Sequence, residues 1–225
     1  MKNLLITCIC ALLAFPAGAS TRRVAAGDDL GRAIRTLKDN DTLVIAAGSY
    51  AVEGTLAVKR STVIAGEAGA RPRITVGSFR IGTGAEHLVL RGLDLTLGGK
   101  HLVDTPSEGS VEIGLIAIEN CTVDLGGSTG AGLVGSRTSG TARNRIGEIR
   151  VEDCVVFNGG FPQHFVYSAA STSQTAVGKI RLCDSTFADM ARGAVVTNAR
   201  MQTRIEIERC TFYDINRADN NAGTI

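Results

Sequence analysis

Phe165 and Tyr167 stand two residues apart, and Arg192 and Arg200 follow them in the chain. In an alternating strand, residues two apart share a face. An aromatic pair on an exposed face can stack on sugar rings, and arginine forks beside it can hold a carboxylate in bidentate fashion. These four residues are the candidate ligand-binding set; no catalytic residue can be assigned from the sequence. Arginine is abundant here, since only five of the 24 basic residues are lysines. Removal of the proton α to a carboxylate would need a base of Lys, Arg, Tyr or His type, with positive charge on the developing enolate. His101 and His164 fall in one column two rungs apart, roughly 9.6 Å by strand spacing. They are therefore too far apart to share a metal. No cysteine spacing resembles a zinc site, so no metal site is read from the residues.

The elements that must position these residues come from a repeat. Ile116-Ala117-Ile118-Glu119-Asn120-Cys121-Thr122-Val123 alternates apolar and polar residues, breaks at one turn residue, and alternates again. The pattern recurs at Leu88–Leu95, Ile149–Val156, Ile180–Phe187 and Ile205–Phe212, with a weaker copy at Leu56–Val63. The starts lie 32, 28, 33, 31 and 25 residues apart. Period-two alternation marks strands, and a repeat of this length marks a stacked array. The breaks are Arg60, Gly92, Asn120, Asp153, Asp184 and Arg209, and Gly, Asn and Asp suit a left-handed corner. Stacking the copies gives four inward columns, headed by Leu56, Val58, Ser61 and Val63. Outward positions are polar or small, as in Thr62, Asp94 and Thr122. A fifth column, Val103, Val134, Val166, Val196 and Ile225, marks a third strand per rung. It turns Asp104 and Tyr167 outward in one column, and Leu102, Leu133 and Phe165 in the next. The pattern predicts an all-β fold, a right-handed parallel β-helix of about six rungs.

Residues 1–19 read as a secretory signal, with Lys2, an apolar run from Leu4 to Phe15, and Ala17-Gly18-Ala19 before the cut. That run is too short to span a bilayer. Residues 20–225 are then one β-helix domain, and the protein is expected to be secreted: periplasmic, extracellular or at the cell surface. Its near-neutral balance, 23 basic against 22 acidic residues after the leader, gives no basis for nucleic-acid binding. Residues 28–38 predict a helix, with Leu30, Ile34 and Leu37 on one face, placed to cap the first rung. Thr42–Ala46 reads as the first strand and Gly48-Ser49-Tyr50 as a turn. Gly223-Thr224-Ile225 would begin another strand with no cap behind it. A longer solenoid, or another chain or domain covering the last rung, is therefore expected. Cys121, Cys154 and Cys210 share an inward column with Ser185 and read as buried free thiols, while Cys183 falls in an outward column.

With these residues in view, the chain resembles the pectate-lyase-like superfamily of right-handed β-helices. The resemblance lies in the opening strand Asp41–Tyr50, in Arg60–Glu67, and in the Glu-Asn-Cys-Thr-Val and Glu-Arg-Cys-Thr-Phe units. These units are similar to those of secreted Bacteroidota β-helix proteins of unassigned function. Ser78–Ile81, His87–Leu93 and the N-terminal helix are similar to the chondroitinase-B/alginate-lyase family. That resemblance implies a polysaccharide partner, β-elimination on a uronate-containing glycan by a Lys and an Arg, and calcium to offset the uronate carboxylate. The family's catalytic residues belong to later rungs, so the chain by itself is expected to be inactive. The alternative is a non-catalytic glycan-binding or cell-surface scaffold.

Overall fold

The computed structural model describes residues 18–106, 109–127, 132–136, 143–159, 167–169, 175–189 and 203–215. In chain order the elements are β1 (Thr21–Val24), helix α1 (Leu30–Arg35), β2 (Asp41–Ile45), β3 (Ser49–Val58), β4 (Thr62–Gly66), β5 (Arg73–Ile81), β6 (His87–Arg91), β7 (Asp94–Leu97), β8 (His101–Asp104), β9 (Val111–Glu119), β10 (Thr122–Asp124), β11 (Gly132–Ser136), β12 (Asn144–Glu152), β13 (Val155–Phe157), β14 (Tyr167–Ala169), β15 (Thr175–Cys183), β16 (Thr186–Ala188), β17 (Arg204–Glu208) and β18 (Thr211–Tyr213). One ladder runs β1-β2-β4-β6-β9-β12-β15-β17. The other runs β14-β11-β8-β5-β7-β10-β13-β16-β18, with β3 on β5. Every strand pairing in both ladders is parallel. The chain is a parallel β-helix, as the repeat predicts.

From Leu88 onward the columns follow the expected register. Leu88, Ile116, Ile149, Ile180 and Ile205 are successive partners, as are Leu90, Ile118, Val151, Leu182 and Ile207. After the corner Leu95, Val123, Val156, Phe187 and Phe212 stack, and the last two rings lie 5.1 Å apart and nearly parallel. Most of these side chains are wholly buried. The corner residues take left-handed backbone: φ is 64° at Gly92, 49° at Asn120, 53° at Asp153, 48° at Asp184 and 51° at Arg209.

The weaker copy is out of register. Leu88 pairs with Thr62 and Leu90 with Ile64, so Thr62 faces inward and is buried. Leu56 belongs instead to the third strand, paired with Phe79, which pairs with Val103. Arg60 is accordingly no left-handed corner, and Val63 does not join the Leu95 column. That column begins with Tyr50 and Ile74, so Tyr50 is a strand residue, not a turn residue. It is buried and donates to the Ala46 carbonyl at 2.9 Å. Thr62 and, before it, Asp41 tolerate the inward column because both are bonded. The Thr62 hydroxyl donates to the Asp41 carbonyl at 2.8 Å. The Asp41 carboxylate accepts from the Ser20 hydroxyl at 2.7 Å, the Ser20 amide at 3.0 Å and the Lys38 amide at 2.9 Å. These bonds, led by the Lys38 amide, hold its carboxyl below the ordinary range.

A strand precedes the helix: β1 pairs with β2, so Thr42–Ala46 is not the first strand. The helix is shorter than the sequence suggests. Asp29 is its N-cap, its carboxylate accepting from the Arg32 amide at 2.8 Å. Leu30, Ile34 and Leu37 are buried as expected, and the helix packs on β3.

The Cys/Ser column has a definite task. Each of these residues follows a left-handed corner and donates to the carbonyl two residues back. Cys121 reaches Glu119 at 3.2 Å, Cys154 reaches Glu152 at 3.1 Å, Ser185 reaches Cys183 at 2.7 Å, and Cys210 reaches Glu208 at 3.4 Å. The same four carbonyls accept the corner amide of the preceding rung: Gly92 at 3.0 Å, Asn120 at 2.9 Å, Asp153 at 3.2 Å and Asp184 at 3.0 Å. Each of these carbonyls thus has two donors, one within its rung and one from the preceding rung. The four cysteines among the described residues are free thiols, and donating a hydrogen bond to Cys121, together with burial, pushes the Cys154 thiol up.

The clasp predicts an ordered series at Cys154, measured by urea unfolding. Serine keeps the donor and should cost under about 1 kcal/mol. Alanine loses the bond and should cost about 1 kcal/mol more. Leucine also overpacks the corner and should cost a further 1–3 kcal/mol or so. Equal losses for serine and alanine would show that the clasp contributes nothing.

Candidate functional site

The third face is built by the second halves of β3 and β5, then by β8, β11 and β14. Its inward register runs Leu56, Phe79, Val103 and Val134, and Tyr167 is the backbone partner of Val134. Tyr167, not Val166, is the partner of Val134, one position from the expected register. Asp104 is the partner of Gly135, and Gly135 of Ser168, so Tyr167 is not in register with Asp104. Leu102 and Leu133, expected on the outside, are wholly buried. Phe165, Arg192, Arg200 and His164 lie outside the described residues, so the expected aromatic and arginine cluster is not among the residues described.

The same face carries a groove that the sequence reading passed over. It is lined by Gly54, Thr55, Gly77, Ser78, Arg80, Gly98, Gly99, Lys100, His101 and Asp104, with a volume of about 330 Å³. A shallower hollow of about 210 Å³ continues it over Ala51, Val52, Glu53 and Thr75, sharing Gly54, Gly77 and Gly98. Glycine makes the concavity. β5 pairs with β7 through Val76 and with β8 from Phe79, with Gly77 between the two pairings. A Cβ at Gly77 would run into the carbonyl oxygen of Gly54, and one at Gly99 into that of Gly77. Polar groups stand over this backbone floor. Ser78 donates to the Thr55 hydroxyl at 3.1 Å, and Arg80 pairs with Asp104 at 3.4 Å. Lys100 is exposed, while His101 is buried with its Nδ1 3.9 Å from Asp104. The available signal was the recurrence of glycine just ahead of Thr55, Ser78 and Lys100, at intervals of 23 and 22 residues.

On the first ladder, arginines meet carboxylates rather than standing open. Arg91 pairs with Glu119 at 2.7 Å, Arg150 with Glu148 at 3.1 Å and Lys179 with Glu206 at 2.7 Å. Cys183 lies in the expected outward column, between Glu152 and Glu208, but is buried. Arg209 covers it, donating to its sulfur at 3.0 Å and to the Asp184 carboxylate at 2.6 and 2.7 Å. The thiol donates to Asp184 at 3.0 Å, and this bond, with burial, pushes its pKa up. The Arg209 guanidinium holds the Asp184 carboxyl at about 2.

The calcium that the family resemblance implies needs several hard oxygen ligands. Among the described residues the ligand cluster is Glu152, Cys183 and Asp184, with atoms within 4.8 Å of one another. A soft thiol and a guanidinium already bonded to Asp184 do not suit calcium.

No family model matches this chain, and no curated protein matches it. Among solved structures the fold is that of a PL6-family alginate lyase, AlyGC. The TM-score is 0.69 at 18% identity, over 92% of this chain and 30% of the lyase. An arginine-to-alanine mutant of that enzyme aligns with a TM-score of 0.60 at 15% identity, again over 92% and 30%. The chain therefore has the polysaccharide-lyase-like β-helix fold, and it spans 30% of the length of these lyases. No helix among the described residues is long and apolar enough to cross a membrane.

The Asp184 pair sets a pH dependence. A carboxyl held near 2 against an ordinary value of 3.8 adds stability above about pH 4, and that stability is lost as pH falls through 2. Wild type should lose stability more steeply between pH 4 and 2 than Asp184→Asn. Parallel curves from acid titration of thermal unfolding would contradict the pairing.

Proposed function

We propose that this chain belongs to a secreted, carbohydrate-directed β-helix protein of polysaccharide-lyase type, acting by β-elimination on a uronate-containing glycan. The observation that supports this reading is the fold match to an alginate lyase over 92% of the chain. The third face adds to it, with an open polar groove long enough to follow several rungs. In this reading the β-helix supplies a flat, rigid platform on which a polymer lies across successive strands, and chemistry depends on a base and positive charge at the uronate. None of the described residues is assigned the base. The alternative, a non-catalytic scaffold that only binds glycan, uses the same face without the base.

The test is a screen of the full-length gene product on alginate, chondroitin, heparin and pectin, with and without EDTA. It reads retention in affinity gels and the ultraviolet absorbance of unsaturated product. Retention on at least one polymer is expected. Metal-dependent unsaturated product favours the lyase, and retention without product favours the scaffold. Neither retention nor product on any polymer would overturn carbohydrate binding altogether.

A further inference from the structure

The Cys/Ser column holds two thiols in direct succession. Leu93 precedes Cys121, Cys154 follows it one rung on, and Ser185 then separates Cys154 from Cys210. Among the described cysteines, Cys121 and Cys154 are therefore the one pair in adjacent rungs of a column. Cys183 lies in another column, between Glu152 and Glu208 and beneath Arg209. Ser185 shows that a hydroxyl serves the corner clasp as well as a thiol does, so the clasp does not call for sulfur at two successive positions.

The strands that follow the pair fix its register. Thr122 pairs with Val155, and the Val155 amide donates to the Cys121 carbonyl at 3.0 Å. In-register parallel strands lie roughly 4.8 Å apart, within the Cα separation of roughly 4.4–6.8 Å that a disulfide bridges. The two side chains also turn the same way. The Cys121 sulfur lies 3.6 Å from the Leu90 carbonyl oxygen and the Cys154 sulfur 3.3 Å from that of Ile118, so Cys154 leans onto the rung of Cys121. The hydrogen bond from Cys154 holds the Cys121 thiol below its ordinary value, which makes Cys121 the better nucleophile of the two. Both side chains are closed off from solvent, at 1% and 2% exposure.

We propose that Cys121 and Cys154 are the site of an inter-rung disulfide, formed by exchange with a small-molecule or protein disulfide, that locks the corner before β10 to the corner before β13. In the exchange the Cys121 thiolate attacks one donor sulfur, the donor S–S bond breaks and one donor thiolate leaves. Cys154 then gives up its proton, attacks the Cys121 sulfur and releases the second donor thiolate. The two cysteine protons end on the two donor thiols, and the donor takes up the two electrons. Because both sulfurs are closed off in the folded chain, the exchange takes place while the rungs assemble, and the thiol clasp describes the reduced protein. The bond does not depend on the carbohydrate-directed reading. In the cell it calls for an oxidising compartment, to which the proposed export would carry the chain.

The experiment refolds the reduced chain from urea with either oxidised glutathione or dithiothreitol, alkylates the remaining thiols under denaturing conditions and maps the tryptic peptides by mass spectrometry. After oxidised glutathione, peptide 101–137, which carries Cys121, is expected joined to peptide 151–179, which carries Cys154. Dithiothreitol should leave them separate. The oxidised protein should have a Tm roughly 5–10 °C above that of the reduced protein. Cys121→Ser and Cys154→Ser each keep a clasp donor, and circular dichroism confirms their fold. Each should lose both the joined peptides and the rise in Tm, while Cys183→Ser keeps both. Recovery of the two peptides unjoined after oxidative refolding, or joined instead through Cys183 or Cys210, overturns the proposal. A cross-linked chain whose Tm is unchanged overturns the lock. Neither result bears on glycan retention, so the carbohydrate-directed reading stands or falls separately.

Discussion

Among the described residues, the inward side chains from Leu88 to Leu182 are buried against the same position one rung away. That in-register stacking is the constraint on which the rest depends. A strand of five residues with one apolar face cannot bury itself, and roughly 1.5–3 kcal/mol is at stake for each large aliphatic side chain. A slip of one residue would turn the whole inward set to the outside. The corners must therefore repeat as faithfully as the strands. Left-handed residues at Asn120, Asp153, Asp184 and Arg209 turn the chain at the same point in each rung. The thiol or hydroxyl that follows closes the carbonyl left behind by the turn. From Cys121 onward the Cys/Ser column serves that geometry, whereas after Gly92 the same position is held by the wholly buried Leu93.

The same constraint explains how much was readable in advance. Ile116, Ile149 and Ile180 could be aligned because alternation and the corner residue are repeated together, two signals that fix one register. Leu56–Val63 alternates too, but it has no left-handed corner, and alternation alone admits a shifted pairing. Its true partner is Phe79 on another face. Asp41 and Thr62 hid the real column, because a polar residue in an apolar column is tolerable only through hydrogen bonds that spacing does not reveal. The third strand suffered likewise. No corner residue pins its register, so Val166 was taken where Tyr167 stands. Cys183 was placed in the correct column, yet its burial depends on Arg209 from the next rung folding over it.

The candidate site was less readable than the fold for a related reason. Aromatic and arginine residues attract attention because their chemistry is specific, whereas a groove is made by what is missing. Gly54, Gly77 and Gly99 supply the concavity by lacking a side chain, and their recurrence is faint beside the isoleucine columns. The groove residues come from three successive rungs and from separate strands, so no local motif unites them. What brings Thr55, Ser78, Arg80, Lys100 and Asp104 together is the stacking itself.

The most direct test of a saccharide surface on the third face is a hydrogen-exchange footprint of the chain with and without oligosaccharide ligand. Slower exchange on ligand addition is predicted in the segments 51–55, 75–80 and 98–104, with the first ladder from β9 to β17 unchanged. Protection confined to the first ladder, or none anywhere at saturating ligand, would contradict the account.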